Sequence, residues 1–289
     1  APVPVVDVDN RENRLGGAAN VARNIKSLGA NPILCTAIGA DFHGEQFLEL
    51  MRIDNLDTAC IIKSKTRTTT VKTRIISAGR QIARVDEEII EPLSKVDENT
   101  VFKVMNVLVD NTKVDAIIFE DYDKGSISKS LIKRVVEFAN SKNIPTTVDP
   151  KRDRFLHYGG VTLFKPNFKE LEEGLDISIQ KEHNAISKAD KKLRDKLNHQ
   201  ISLITLSEKG VYVSDENHQI SFPAHVRNIS DVSGAGDTVI SVATLCLAAG
   251  LTADIIAQIA NLAGGLVCEE SGVVSIDKEN LLAESLSVL

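Results

Sequence analysis

Tryptophan is absent from the 289 residues and aromatic side chains make up only 4% of them, too few for the stacking platforms on which single-stranded nucleic acid lies. The net charge is −6, with acids and bases interspersed rather than blocked. That pattern excludes a basic face for nucleic acid or an anionic membrane as the main partner. Cysteines are few, and Cys35, Cys60, Cys246 and Cys268 lie far apart. Neither a metal knuckle nor a disulfide framework has that spacing, so a reducing compartment is expected. No apolar run reaches the roughly 20 residues of a membrane span, and the opening Ala1-Pro2-Val3-Pro4-Val5-Val6 does not have the layout of a signal peptide. The expectation is a soluble, cytoplasmic protein. The Gly-x-x-x-x-Gly-Lys-[Ser/Thr] spacing of a P-loop nucleotidase is missing as well.

Present instead is a 43% hydrophobic chain, enough to bury the core of one large α/β domain. Gly16-Gly17 opens a helix in which Ala18, Val21, Ala22, Ile25 and Leu28 recur at helical spacing, closed by Gly29. Val3 to Val8 reads as a short extended segment and Ile33 to Ile38 as a buried strand, followed by a helix from Gly44 to Arg52. A β-rich stretch comes next: Cys60-Ile61-Ile62, Thr66 to Ile76, a turn at 77–80, and Gln81 to Asp86. Its many polar and basic residues predict a thin sheet with one wet face. From about Asn99 helices and apolar strands alternate: Val101 to Asp110, Ala116 to Phe119, Lys129 to Ser141, Pro145 to Val148, Val161 to Phe164, a helix from about Ser178 to Leu197, and Ile201 to Leu206. Gly210 to Val213 and Gln219 to Phe222 form a second hairpin, and helices at Ala253 to Glu269 and Lys278 to Leu286 close the chain. Such alternation implies a mostly parallel sheet covered on both faces.

One stretch organises the rest. In Asp231-Val232-Ser233-Gly234-Ala235-Gly236-Asp237-Thr238, two glycines lead into a helix whose body is almost wholly apolar. The first-turn amides of such a helix have no intrahelical partner and favour an anion, and bare glycines let a phosphate approach the backbone. Asp237 in that turn reads either as a charge that offsets the helix dipole or as a reacting group. Four strand ends carry polar clusters, 120–125, 149–152, 165–170 and 207–210, at the carboxyl edge where ligands of open α/β sheets collect.

Together these residues resemble a known family, the ribokinase-like (PfkB) carbohydrate kinases. Gly16-Gly17-Ala18-Ala19-Asn20-Val21-Ala22 through Gly29 is similar to its first signature, 231–238 to its second, and Asn167 with Glu170 to the Asn-x-x-Glu motif between them. Within the family the chain looks most like the D-glycero-β-D-manno-heptose 7-phosphate kinases, through Arg11 to Ala22, Arg84-Val85-Asp86, Asp149-Pro150-Lys151 and Gly236 to Ile240. The resemblance implies a three-layer α/β/α sandwich, mostly parallel, with a small β-sheet lid from strands near 3–8 and 59–86, all in a single kinase domain over 1–289. Family members carry a further first strand, with a sugar-gripping Asp, ahead of the point where this sequence starts. Some are fused to an adenylyltransferase, whose His-x-Gly-His loop does not occur within this sequence.

The resemblance also implies roles. Asp237 would be the catalytic base, with the amides of Gly234, Ala235 and Gly236 holding the moving phosphoryl group. Beside a helix start Asp237 is expected to stay ionised and be a weak base, which suffices for a loose phosphoryl-transfer transition state. Asn167 and Glu170 would organise Mg2+ through water, Ser207 and Gly210 would lie near the nucleotide, and Asn261 near adenine. Gly16, Gly17 and Asn20 would bind sugar hydroxyls, and Lys151, with Arg84, Lys124 and Arg152, would meet the substrate phosphate. ATP and Mg2+ are the implied cofactors, a monovalent cation is an open point, and a homodimer through the lid strands is the implied assembly. Two other readings stay open: a kinase of this family acting on ribose, fructose 1-phosphate or a nucleoside, and a non-catalytic nucleotide-binding relative.

Overall fold

Short apolar runs bounded by polar residues become the strands of a six-stranded sheet. The computed structural model describes residues 6–77, 80–180 and 182–288. In chain order its elements are α1 (Ala18–Ser27), β1 (Thr36–Gly39), α2 (Phe42–Ile53), β2 (Ile61–Ser64), β3 (Val71–Ser77), β4 (Arg80–Glu87), α3 (Lys95–Asn111), β5 (Ile117–Glu120), α4 (Lys129–Ser141), β6 (Thr146–Asp149), β7 (Leu163–Phe164), α5 (Phe168–Leu175), α6 (His183–Leu197), β8 (Ile201–Thr205), β9 (Val211–Ser214), β10 (Gln219–Phe222), α7 (Ala235–Ala248), α8 (Ala253–Val267) and α9 (Lys278–Val288).

The large sheet runs β10-β9-β8-β7-β6-β5. Strands β5 to β8 are parallel, and β9 and β10 add an antiparallel edge. Strand alternation divides the core. Val148, Phe164, Ile204 and Tyr212 pack on one face with Ile132 and Val136 of α4, Leu171 of α5 and Leu193 of α6. Leu163, Leu203, Val211 and Val213 pack on the other with Val21 of α1, Ile240 of α7 and Ile256 of α8. A sheet buried on both faces by helices is the three-layer α/β/α sandwich implied by the resemblance, and the continuous apolar character of these strands is its cause. Because β5 to β8 run the same way, Glu120, Asp149, Lys165 and Thr205 come to one edge of the sheet.

Several expectations shift. β2 pairs in parallel with β1, from Thr36 opposite Ile61 to Gly39 opposite Ser64, so 61–64 belongs with 36–39 rather than with the wet sheet. That sheet reduces to the β3–β4 hairpin, which pairs only with itself among the described residues and is exposed along all of β4. Residues 66–70 are not strand. Asp41 caps α2 through the Gly44 amide and also accepts from the amide and hydroxyl of Thr69, holding that segment against the start of α2. Residues 6–8 form no strand, and 3–5 lie outside the described residues. Helix α3 starts six residues before Val101, because Ser94 accepts from the Asp97 amide at 3.1 Å and caps it there. Helix α6 starts at His183 rather than near Ser178.

Candidate active site

Helix α7 begins on Gly234, whose φ of 83° is left-handed, and no side chain caps it. A glycine fits there because an added Cβ would stand 3.2 Å from Asn20 Nδ2 and 3.2 Å from Val273 Cγ1 besides straining the backbone. A Cβ at Gly236 would lie 3.6 Å from Asp149 Oδ2 and 3.8 Å from Lys165 Nζ, in the gap between α7 and the sheet edge. The Ala235 amide donates to the Val232 carbonyl at 3.3 Å, so one of the three amides expected to hold a phosphate is engaged within its own loop.

Asp237 is 8% exposed and gripped from two sides. The Asn20 amide donates to its Oδ2 at 2.7 Å from α1, and the Tyr122 hydroxyl to its Oδ1 at 2.8 Å from the loop after β5. The two glycine-rich signatures, 217 residues apart, therefore meet at one carboxylate. Buried polar bonds lace the same helices further along: Thr238 donates to Asn24 Oδ1, and the Ile276 amide does so at 2.9 Å. Burial pushes the Asp237 carboxyl above its ordinary range, against the hydrogen bonds from Asn20 and Tyr122, with Asp149 adding to the rise. The expectation of an ordinary, ionised carboxylate beside a helix start shifts: taking the group out of water outweighs the donors and raises its affinity for a proton.

Glu120, Asp149 and Asp237 each bring an oxygen within 4.8 Å of the others. Both Glu120 oxygens are buried without a partner. Burial, and then the charges of Asp149 and Asp237, push its carboxyl well above the usual range. Two lysines offset the charge. Lys165 Nζ lies 3.0 Å from Asp149, and Lys151 Nζ lies 3.3 Å from Asp149 and 2.6 Å from Glu170. Burial lowers the Lys151 ammonium, but Asp149 and Glu170 raise it more, so it stays charged.

Glu170 and Asn167 form a capping box at the start of α5. Asn167 accepts from the Glu170 amide at 2.9 Å and Glu170 Oε2 from the Asn167 amide at 2.8 Å. Asn167 also bridges to Thr205 at the end of β8. Ser207, with a left-handed φ of 55°, follows β8 in a 3-10 turn over Ser207–Lys209. Gly210 has its own packing reason, since a Cβ there would stand 2.1 Å from the Phe222 carbonyl. Asn261, on α8, donates to the Pro223 carbonyl at 2.8 Å. Gly17 needs its positive φ of 56°, whereas a Cβ on Gly16 would meet nothing within 4 Å.

Not every expected residue joins the cluster. Arg84 pairs with Asp86 at 2.9 Å on the exposed hairpin, and Lys124 with Glu88 at 2.6 Å. Conversely Glu120, Tyr122 and Lys165 belong to the site but were visible in sequence only as members of polar strand-end clusters. What marks them is that they follow or end parallel strands, a register that the chain order alone does not give.

A profile described as "pfkB family carbohydrate kinase" matches residues 1–280. The chain belongs to that family. Bifunctional protein HldE of Helicobacter pylori (strain Shi470) is 36% identical over 273 residues, covering 94% of this chain, and HldE of Campylobacter fetus is 36% identical over 272 residues. The chain spans 58% of the length of either relative. Among solved structures, phosphofructokinase-2 of Escherichia coli in complex with potassium superposes with a TM-score of 0.80 at 18% identity, over 94% of this chain and 87% of that one. Ribokinase of Arabidopsis thaliana, complexed with ribose and ATP, gives 0.72 at 17% identity, over 92% and 86%. These neighbours share the fold; the pfkB family supplies ATP-dependent sugar phosphorylation as the chemistry against which the cluster is read.

Proposed function

We propose that the chain transfers the terminal phosphoryl group of ATP to a hydroxyl of a sugar phosphate, D-glycero-β-D-manno-heptose 7-phosphate, giving the 1,7-bisphosphate used in ADP-heptose synthesis for lipopolysaccharide core. The observation that carries the reading is Asp237, buried at the glycine-rich start of α7 and held by Asn20 of the first signature. The 36% identity to HldE chains and the Arg11 to Ala22 and Asp149-Pro150-Lys151 segments favour the heptose over ribose, fructose 1-phosphate or a nucleoside.

In this reading Asp237 takes the proton of the attacking hydroxyl, its basicity raised by burial. Asn20, Gly16 and Gly17 border the sugar, and Lys151 faces its phosphate. The open side of Gly236, toward Asp149 and Lys165, borders the moving phosphoryl group. Ser207 and Gly210 border the nucleotide, with Asn261 toward adenine. Magnesium fits the donor set: carboxylate oxygens are its preferred ligands, and the two buried, unpartnered oxygens of Glu120 are short of a cation. Glu120 and Asp149 would hold it, with Asn167 and Glu170 acting from outside, since Glu170 already spends one oxygen on Lys151 and the other on the Asn167 amide. When bound, the ion neutralises charge on the phosphates. Phosphofructokinase-2 was solved with potassium, and a monovalent-cation requirement is included in this reading.

Residues 1–289 act as one kinase unit, in the cytoplasm where ATP is available; among the described residues no helix is long and apolar enough to cross a membrane. The β3–β4 hairpin serves as the lid, keeping water from competing with the sugar hydroxyl. An isolated two-stranded hairpin is marginal by itself. Ile76, Ile82 and Val85 are 61%, 57% and 50% exposed on it, so a second copy of the chain covers it in a homodimer. Ile82→Lys should then shift the sedimentation of the protein from dimer to monomer; a dimer that persists removes the hairpin as the interface.

The deciding experiment is ATP consumption over a panel of heptose 7-phosphate, ribose, fructose 1-phosphate and a nucleoside with Mg2+ present. Turnover of the heptose phosphate well above the others is expected. Turnover of ribose alone would reject the substrate, and ATP binding without turnover of any acceptor would favour the non-catalytic relative.

A further inference from the structure

We propose that Tyr122 is a positioning and specificity residue of this site: its hydroxyl aims the Asp237 carboxylate and its ring is the platform on which the sugar lies. The inference deepens the sugar-phosphate kinase reading above and depends on it.

Three groups with separate tasks in that reading converge on this one side chain. Its hydroxyl donates to Asp237 Oδ1 at 2.8 Å. The edge of its ring is 3.5 Å from where a Cβ on Gly17 would stand, and Gly17 is in the first glycine signature. Its ring centroid is 5.7 Å from Lys151 Nζ, the cation placed toward the substrate phosphate. The hydroxyl is fixed while the residue stays 36% exposed, so part of the side chain remains open to a ligand. A rigid aromatic body with a tethered polar tip provides apolar contact at low conformational cost.

The segment that carries Tyr122 is itself anchored. Asp121, 2% exposed, accepts from Arg154 Nε at 3.0 Å, from the Tyr158 hydroxyl at 2.7 Å and from the Asp123 amide at 2.9 Å. Arg154 also reaches Asp123 Oδ1 at 2.8 Å. A residue held this firmly at the end of β5 can set the rotamer of Asp237, which Asn20 alone holds by one oxygen.

The two halves of the role separate by substitution. In Tyr122→Phe the platform remains and the aim is lost, so kcat should fall on the order of 10–100-fold with KM for the sugar phosphate changed less than about threefold. In Tyr122→Leu the platform goes too, and that KM should rise at least about tenfold while KM for ATP holds. Calorimetric titration of heptose 7-phosphate without nucleotide gives an independent reading, expected near wild type for Phe and at least about tenfold weaker for Leu. Thermal melts of both variants close to wild type exclude a folding effect; if Leu melts early, the Phe variant and its kcat-against-KM split decide. A wild type that turns over the sugar phosphate while both variants match it overturns the proposal alone. A wild type that neither binds nor turns over any sugar phosphate overturns it together with the functional reading.

Discussion

Asp237 and Glu120 are neighbouring buried carboxylates with opposite accounts to settle. Asp237 has two donors and, in the function proposed above, takes the proton of the substrate hydroxyl, so Asp237→Asn should lower turnover by about 10²–10⁴-fold while ATP affinity, measured by titration, stays near wild type. A variant that keeps a tenth or more of the activity would remove it as the base. Glu120 has no donor and repels two charges. Glu120→Gln removes the repulsion while keeping the shape and should stabilise the protein by about 1 kcal/mol in urea titrations at neutral pH, one pKa unit of such repulsion being worth about 1.4 kcal/mol. The same change should weaken binding of Mn2+, followed by its electron-spin signal, because it removes a carboxylate ligand from the proposed cation site. Stability unchanged and Mn2+ binding unchanged would leave Glu120 without either role. Asp237 was legible in sequence because glycines and an apolar helix isolate it. Glu120 was not, since a glutamate at a strand end looks like any turn residue until the parallel register puts Asp149 beside it.

Among the elements, α5 shows how a cap doubles as site architecture. The Asn167–Glu170 box satisfies its first amides, and the spare Glu170 oxygen anchors Lys151. Asn167→Ala should cost about 1 kcal/mol of stability, the usual value of a side-chain cap, and should also lower kcat/KM, because Glu170 and Lys151 lose their fixed positions. Ser94→Ala, which removes the cap of α3, should cost a similar amount and leave turnover unchanged. Equal kinetic losses in both would mean that stability alone explains the first. Helices α1, α4 and α7 were readable from period and glycine punctuation, and β5, β6, β8 and β9 from apolar runs. The pairing of β2 with β1 was not, because 60–62 has the same composition as a lid strand and only contact with 36–39 decides its partner. The early start of α3 is present in the sequence as Ser94 three residues before Asp97, a cap signal lying well ahead of Val101, where the apolar periodicity begins.

For the whole molecule the pH dependence of stability has a separable source away from the site. His199 is 4% exposed behind α6, with Nε2 2.5 Å from the Ser202 hydroxyl, Nδ1 unpartnered and its ring 5.5 Å from that of Phe164. Burial, helped by the nearby positive charge of Arg194, pulls its pKa from 6.5 down to about 3. The folded pKa is below the unfolded one, so the unfolded chain takes the proton first as pH falls. Stability from this group is complete above about pH 6.5 and drains away toward pH 3. The slope approaches about 1.4 kcal/mol per pH unit, which amounts to ~2 kcal/mol between pH 6.5 and 5. Glu120, Asp190 and Asp237 act in the other direction: burial raises their folded pKa values, so the folded state holds their protons more tightly and gains as pH falls through the carboxylate range. His199→Gln removes the first effect and leaves the second. Urea titrations at pH 6.5 and 5 should show the wild type losing ~2 kcal/mol more than the variant over that interval. Equal losses would mean that water or a proton acceptor reaches the imidazole and that the layer between α6 and β8 is less tightly closed than its packing indicates.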